Sequence, residues 1–252
     1  MKLIRFCQNN EIKSGVLEGK EIKILNGDFF GELTFSGDTV LLQDVKVLTP
    51  TTPSKIVAVG LNYVNHAKEL DFELPASPTL FIKASSSLCN PNDEIMLPNL
   101  STHVDYEAEL AFIIKKKAKN VKECDYKDYI LGYTCFNDVS ARDLQESQWM
   151  RAKSFDTFSP FGPVIETEIA DLNNIEIRAI RNDSPIQRGN TRDMIFKIPF
   201  LLDYISHSMT LNVGDIITTG TPEGVGRIEN GDTISIEIEG IGRLINYARN
   251  EE

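Results

Sequence analysis

The chain has 252 residues, 41% of them hydrophobic and 25% charged, enough for one large core with at most a small appendage. Its formal net charge of −11 argues against nucleic acid and anionic membrane surfaces as partners. Met1 to Glu11 has no apolar signal-peptide core, no apolar run approaches a membrane span, and the four cysteines are scattered without a C-x-x-C, so a soluble, reduced, cytoplasmic protein without a zinc or disulfide framework is expected.

Residues 1 to 48 read as a small β domain. Leu3–Phe6 and Glu21–Leu25 are short strand candidates between polar turns that hold Gly15, Gly19 and Gly27. Thr49-Pro50-Thr51-Thr52-Pro53 is a stiff connection, because each proline disfavours helix before it. It marks the expected boundary with a second domain, 49–252. Lys55–Val59 is an apolar strand ended by Gly60. Leu61–Leu70 is helix-like, with Asn62 as the candidate N-cap. His66 and Glu69 lie three apart and share a helical face. A carboxylate beside an imidazole makes a general base; the same spacing also fits a surface ion pair. Leu80–Lys83 is a further strand candidate, and Ile95–Pro98 leads into the most informative stretch of the chain.

That stretch is Asp105-Tyr106-Glu107-Ala108-Glu109-Leu110-Ala111-Phe112-Ile113-Ile114. As a strand it puts Ala108, Leu110, Phe112 and Ile114 on one apolar face, and Glu107 and Glu109 on the other, roughly 7 Å apart. Ala111 and Ile113 continue the carboxylate face, so it too turns apolar. Two like charges on a half-buried face repel and lose hydration unless a cation sits between them. A third carboxylate, Asp138, ends the strand-like run Gly132–Asp138. Three carboxylates without His or Cys suit a hard ion, Mg2+ or Mn2+, with positions left for water or substrate. The plain alternative for E-x-E is the solvated face of an edge strand.

Lys115–Lys119 is too short for a nucleic-acid patch and reads as a solvated turn. Ser140 with Asp143 three later resembles a capping box, so a helix should begin just behind Asp138. Its free N–H groups would face anions, and Arg142 and Gln145, one turn apart, would reach the same place or else lie in solvent. Trp149–Asp156 sets Lys153 among aromatic and apolar residues. Gly162–Ile165 returns to strand, 175–186 forms a hairpin about Asn182-Asp183-Ser184, and Pro199–His207 forms an amphipathic helix with Pro in its first turn. Asp215–Thr219 is a strand opening into Gly220-Thr221-Pro222-Glu223-Gly224-Val225-Gly226, whose glycines let backbone amides approach an anion; it lacks the G-K-[ST] ending of a P-loop. Asn230–Asp232 reads as a hairpin turn, and Ile234, Ile236 and Ile238 alternate with polar residues in a last strand. Strands outnumber helices and lack a βαβ alternation, which gives an α+β, mainly β fold with a mixed or antiparallel sheet core.

Five segments in this order, Val59-Gly60-Leu61-Asn62-Tyr63-x-x-His66, Asp105-Tyr106-Glu107-x-Glu109-Leu110, Phe136–Asp143, Ala152–Asp156 and Gly220–Gly226, resemble the fumarylacetoacetate hydrolase family. The resemblance runs from about Ile56 to Leu244, and residues 1–48 more loosely match the small N-terminal domain of many members. It implies a mixed β-sandwich roll, a homodimer, and a small-molecule 2-oxo or β-diketo acid substrate. It further implies Mg2+ or Mn2+ on Glu107, Glu109 and Asp138, catalytic roles for His66, Glu69 and Lys153, and substrate contacts from Lys83, Arg142, Gln145 and Thr221. Two departures stand out: Ala84 follows Lys83 where the family usually has Pro, and the 146–148 segment that should border the pocket is short. The family includes C–C hydrolases, 2-oxo acid decarboxylases, dienoate isomerases and hydratases. The expectation is a metal-dependent hydrolase of acylpyruvate-like acids, followed by an oxaloacetate-type decarboxylase and a hydroxymuconate-type isomerase. The rival of another class is a metal-stabilised binding protein without catalysis, which would need the ligands but not the lysine or the dyad.

Overall fold

The computed structural model describes residues 1–69, 71, 73–146 and 148–252. The expected helix end at Leu70, and Ser147 in the short 146–148 segment, lie outside the described residues. The chain begins with β1 (Lys2–Gln8), β2 (Glu11–Glu18), β3 (Glu21–Leu25), β4 (Phe35–Leu41) and β5 (Lys46–Val47). Then come β6 (Ile56–Gly60), α1 (Val64–Glu69), β7 (Thr79–Lys83), β8 (Leu88–Cys89), β9 (Glu94–Leu97), β10 (Val104–Tyr106), β11 (Ala108–Ile114), β12 (Ile130–Asn137) and β13 (Ser140–Ala141). The remainder is α2 (Trp149–Lys153), β14 (Ser159–Glu166), β15 (Glu176–Arg181), β16 (Ser184–Asn190), α3 (Ile198–Ser208), β17 (Ile216–Thr218), β18 (Gly226–Arg227), β19 (Thr233–Ile238) and β20 (Gly242–Asn250).

A large sheet runs β4-β3-β2-β1-β14-β12-β11-β17-β6-β7, a second runs β16-β15-β19-β20-β9, and a small one runs β13-β10-β18. Most pairs are antiparallel; β17 with β6, β14 with β8 and β20 with β9 are parallel. The sheets are therefore mixed, as the α+β, mainly β reading expected. β11 lies at the centre and is buried along its whole length. Its period-two alternation sorts side chains into two cores. Ala108, Leu110, Phe112 and Ile114 pack with Ile177, Ile234, Ile236 and Ile238 of the second sheet. Ala111 and Ile113 pack on the far face with Phe136, Phe161, Ile165 and Ile216.

The N-terminal strands extend the large sheet: Lys2 and Leu3 of β1 pair with Glu166 and Ile165 of β14. β2 is a strand the sequence hid. Gly15, which reads as a turn residue, sits inside it, where a Cβ would come 2.4 Å from Ile22 Cγ2 and 2.8 Å from Lys23 O. A close approach of two strands demands glycine here. Asn62 does not cap α1. Its Nδ2 donates to Thr219 O (2.8 Å) and Phe196 O (3.0 Å), and its Oδ1 accepts from Phe196 N–H (2.8 Å), clamping the end of β6 to two distant segments. The capping-box helix is also absent. Asp143 accepts from Ser101 Oγ (2.6 Å) and Thr102 N–H (2.7 Å) instead of returning to Ser140, so Ser140 stays in β13 and Arg142–Leu144 makes only a 3-10 turn. The hairpin of β15 and β16 and the helix α3 form where expected. The turn at Asn230–Asp232 joins strands of different sheets, β18 and β19, and is no hairpin.

Asp215 holds the long-range join of the large sheet. It is fully buried and accepts from Ser54 N–H (2.9 Å), Ser54 Oγ (2.7 Å), Lys55 N–H (3.1 Å) and Asn212 N–H (2.8 Å), with Lys55 Nζ at 2.5 Å. These bonds fix the start of β17 beside the start of β6. Asp215→Ala strands these donors and should lower stability by about 3 kcal/mol. Urea denaturation should show a lower midpoint at unchanged slope; a wild-type midpoint would mean that water replaces the clamp.

Candidate functional site

The acidic stretch does not run as one strand. It breaks at Glu107, where β10 pairs with β13 and β18 in the small sheet and β11 enters the large one. A backbone leaving one sheet for another exposes polar groups that must find partners. Glu107 N–H donates to Asn137 Oδ1 (3.0 Å), Ala108 N–H to Gln187 Oε1 (3.1 Å), and Asp138 N–H to Glu107 O (3.0 Å). The last bond seats Asp138, just past β12, beside the break. One oxygen from each of Glu107, Glu109 and Asp138 lies within 4.8 Å of the others, and all three residues are buried.

Cations surround this floor. Lys153, at the end of α2, donates from Nζ to Glu107 Oε2 (2.9 Å) and Asp138 Oδ2 (2.6 Å). Arg142 contacts Glu107 through Nη2, Asp105 through Nε (2.8 Å) and Gln145 Oε1 through Nη1 (2.9 Å). Lys83 contacts Asp138 Oδ1 and donates to Phe158 O (2.8 Å). Burial works against the charged form of Glu107, but Lys153 and Arg142 outweigh it and hold its carboxyl down to about 2. Burial also opposes the Lys153 ammonium, yet Asp138 and Glu107 raise it above the usual lysine range. Glu109 is different. Among the described residues no cation pairs with it; Gly220 N–H donates to its Oε2 (3.0 Å). Burial first, then Asp138 and Glu107, push its carboxyl well above the usual range. A buried carboxylate set short of positive charge, with hard oxygen donors only, fits Mg2+ or Mn2+.

The other expected residues mostly meet here. A cavity of about 450 Å³ is lined by His66, Glu107, Glu109, Asp138, Arg142, Gln145, Lys153 and Thr221, with Leu61, Phe81, Trp149 and Val225 as an apolar wall. His66 Nδ1 lies 3.1 Å from Glu69 Oε2, and Glu69 in turn accepts from Gly224 N–H (3.2 Å). Thus the glycine loop does receive anions, and they are the protein's own Glu109 and Glu69. Gly220, with φ of +87° and a Cβ position 2.9 Å from Asn62 Cβ, can be nothing else without strain. The Thr221 hydroxyl is committed, donating to Ala108 O (3.0 Å) and accepting from Gln187 Nε2 (2.8 Å). Lys83 is a correction: it does not line the cavity. β7 carries it beneath Asp138, fully buried, where burial lowers its ammonium while Asp138 sustains it. It holds a carboxylate, Asp138.

Sequence reading missed Asp105 and His103. Asp105 is buried, braces Arg142, and has Oδ1 3.0 Å from His103 Nε2. The signal was present, since 103, 105, 107 and 109 share a parity. It also missed Asn137 and Gln187, whose amides satisfy the sheet switch; nothing in the sequence separates them from surface amides.

Comparison with known proteins gives the chain a family. Residues 55–248 match the family model described as fumarylacetoacetate (FAA) hydrolase C-terminal, and residues 1–50 match one described as Rv2993c-like, N-terminal. The chain is 40% identical to the solved 5-carboxymethyl-2-hydroxymuconate delta-isomerase from Mycobacterium smegmatis, with a TM-score of 0.94 and all of both chains covered. It is 42% identical to the human mitochondrial oxaloacetate tautomerase FAHD2A, over 81% of this chain and 69% of that protein. It is 31% identical to the maleylpyruvate hydrolase from Sphingobium sp. SYK-6, solved with manganese(II) and pyruvate, with a TM-score of 0.84 and all of both chains covered. With a family model spanning 55–248 and relatives of this identity along nearly its whole length, the chain belongs to the fumarylacetoacetate hydrolase family.

Proposed function

We propose that the protein is a divalent-metal-dependent enzyme of small 2-oxo acids, and that it moves a proton at the carbon beside the keto group, as keto–enol tautomerisation or migration of an enol double bond. The observation that carries this reading is the set of three converging carboxylates on a cavity floor shared with a lysine held cationic. Mg2+ or Mn2+ on Glu107, Glu109 and Asp138 would supply, when bound, a Lewis acid for the keto and carboxylate oxygens. Lys153, charged and 3% exposed at its side chain, offers positive charge to an enolate oxygen in a water-poor site and is unsuited to act as the base. The proton then falls to His66. Glu69 fixes its ring through Nδ1, which leaves Nε2 for a substrate in the cavity. Phe81, whose ring centroid lies 5.2 Å from Lys153 Nζ, and Trp149, packed edge-on against Phe81 at 5.4 Å, exclude water from one side.

Relatives near 40% identity whose names state an activity include a tautomerase and an isomerase, chemistries that need no attacking water. A second reading, hydrolysis of an acylpyruvate-like C–C bond, is favoured by the same dyad: an imidazole braced by a carboxylate can equally take a proton from water. Decarboxylation of an oxaloacetate-type acid would use the metal and lysine without His66.

Glu109→Gln tests the metal assignment more cleanly than changes at Asp138, which would strand two buried lysines. In EDTA the variant should melt no lower than wild type, because it loses a desolvated carboxylate. Millimolar Mn2+ should then raise the melting temperature of the wild type and leave that of the variant unchanged. Equal stabilisation of both proteins removes Glu109 from the ligand set.

His66→Ala tests the chemistry. With metal saturating, exchange of the C3 hydrogens of oxaloacetate with deuterated solvent, followed by NMR, should slow about 100-fold, the scale of one positioned base. Pyruvate and CO2 release, measured in parallel, should slow far less. Wild-type protein that cleaves an acylpyruvate faster than it exchanges any 2-oxo acid would favour the hydrolase reading.

A further inference from the structure

An Asn-Gly step can modify itself without an enzyme, because a residue lacking Cβ leaves its peptide nitrogen open to the preceding carboxamide. The chain has two, Asn26-Gly27 and Asn230-Gly231, and all four residues are exposed. Their hydrogen bonds are opposite. At Asn230 both reacting groups are held: Gly231 N–H donates to Ala248 O (2.9 Å), and Asn230 Oδ1 accepts from Asn250 N–H (2.9 Å). Asp232 fastens the same turn, accepting from Glu229 N–H (2.8 Å) and Asn182 Nδ2 (2.6 Å). At Asn26 the side chain is held only by long bonds, its Nδ2 donating to Phe35 O (3.2 Å) and Thr34 Oγ1 (3.5 Å). Gly27 N–H has no hydrogen-bond partner among the described residues. The nucleophile is therefore free at one step and engaged at the other, where the turn must open before it can react.

We propose that Asn26 is a self-modification site of the folded protein and that Asn230 is not. The Gly27 peptide nitrogen attacks Asn26 Cγ, and a new C–N bond closes a cyclic imide across the two residues. The bond from Cγ to Nδ2 breaks, and the amino group leaves as ammonia with the proton from Gly27 N–H. Water then adds to one imide carbonyl and opens the ring, leaving aspartate or isoaspartate at position 26. Nothing is oxidised or reduced. The product can no longer donate to Phe35 O, and it sets a second negative charge two residues from Asp28. In the large sheet β4 lies at the end and pairs with β3 alone, so the loss of that bond loosens an edge strand and leaves the cavity untouched.

The full chain would be aged in mildly alkaline buffer, folded in one arm and unfolded in guanidinium chloride in the other. Mass spectrometry of the peptides spanning each step follows the exchange of amide for acid, and a carboxyl methyltransferase scores isoaspartate. In the folded protein Asn26 should convert at least about tenfold faster than Asn230, the scale of opening a pair of hydrogen bonds before reaction. In the unfolded chain the two rates should converge, since both steps then have the same freedom. A Cβ at Gly27 would meet nothing within 4 Å, so Gly27→Ala should fold normally and largely suppress conversion at Asn26 by crowding the nitrogen. Asn26→Asp, which reproduces one product, should speed deuterium exchange of the β4 amides relative to wild type. Equal rates at the two steps in the folded protein, no conversion at Asn26, or the same ratio of rates in guanidinium chloride would overturn the proposal. Unchanged conversion in Gly27→Ala would overturn the role of the glycine nitrogen, and unchanged β4 exchange in Asn26→Asp would overturn the effect on the edge strand.

Discussion

Buried negative charge is the constraint on which this structure turns. Glu107, Glu109, Asp138 and Asp105 are all buried, where an unpaired carboxylate is costly, and the first three bring one oxygen each within 4.8 Å of one another. The fold answers by bringing cations from separate parts of the chain: Lys83 from the edge of the large sheet, Lys153 from a five-residue helix, Arg142 from a 3-10 turn. Each long aliphatic stem crosses apolar ground and delivers its charge at the tip. Three cations against four carboxylates leave the balance one short, and the shortfall is concentrated on Glu109. The uncompensated charge is thus directed at the place where an external cation is accessible, on the floor of the cavity.

Geometry and chemistry are joined at the break between β10 and β11. A strand confined to one sheet would face Glu107 and Glu109 into a single environment. By changing sheets at Glu107, the chain opens a concave corner between two sheets and puts that carboxylate at its vertex, with Asp138 fastened alongside by a backbone bond. The exposed polar groups of the switch are taken up by Asn137 and Gln187, and Gln187 also orders the loop that carries Thr221. The same one-residue irregularity therefore shapes the cavity, orients two carboxylates and seats the glycine loop opposite them.

Much of this was legible in the sequence because it is governed by local periodicity. The alternation of β11 foretold both of its buried faces, and E-x-E with Asp138 foretold the floor. What stayed hidden depended on partners far away in the chain. Gly15 looks like a turn until Ile22 is known to lie across from it. Ser140 and Asp143 look like a cap until Ser101 and Thr102 claim the aspartate. Asn62 looks like a helix start until Phe196 and Thr219 claim its amide. The family resemblance implied a substrate contact for Lys83, whereas its burial beneath Asp138 depends on the placement of β7 at the sheet edge. At Asn62 and Asp143 a short-range propensity lost to a long-range hydrogen bond, at Gly15 to the close approach of a neighbouring strand.

The order of strands in the large sheet has a kinetic meaning. β11 and β12 are close in sequence, so the hairpin that gathers Glu107, Glu109 and Asp138 needs only a modest loop closure. β6 joins that sheet through β17, with Ile56 opposite Ile216, and β7 joins through β6. The lysine on β7 is set under Asp138 by two long-range closures, Ile56 on Ile216 and Leu88 on Ser159, both far longer than the β11–β12 hairpin and slow for a topology of this kind. Loop lengths alone favour the acids meeting before all of their counter-charges arrive, so dissolved divalent ions are expected to act on the rate of folding as well as on final stability.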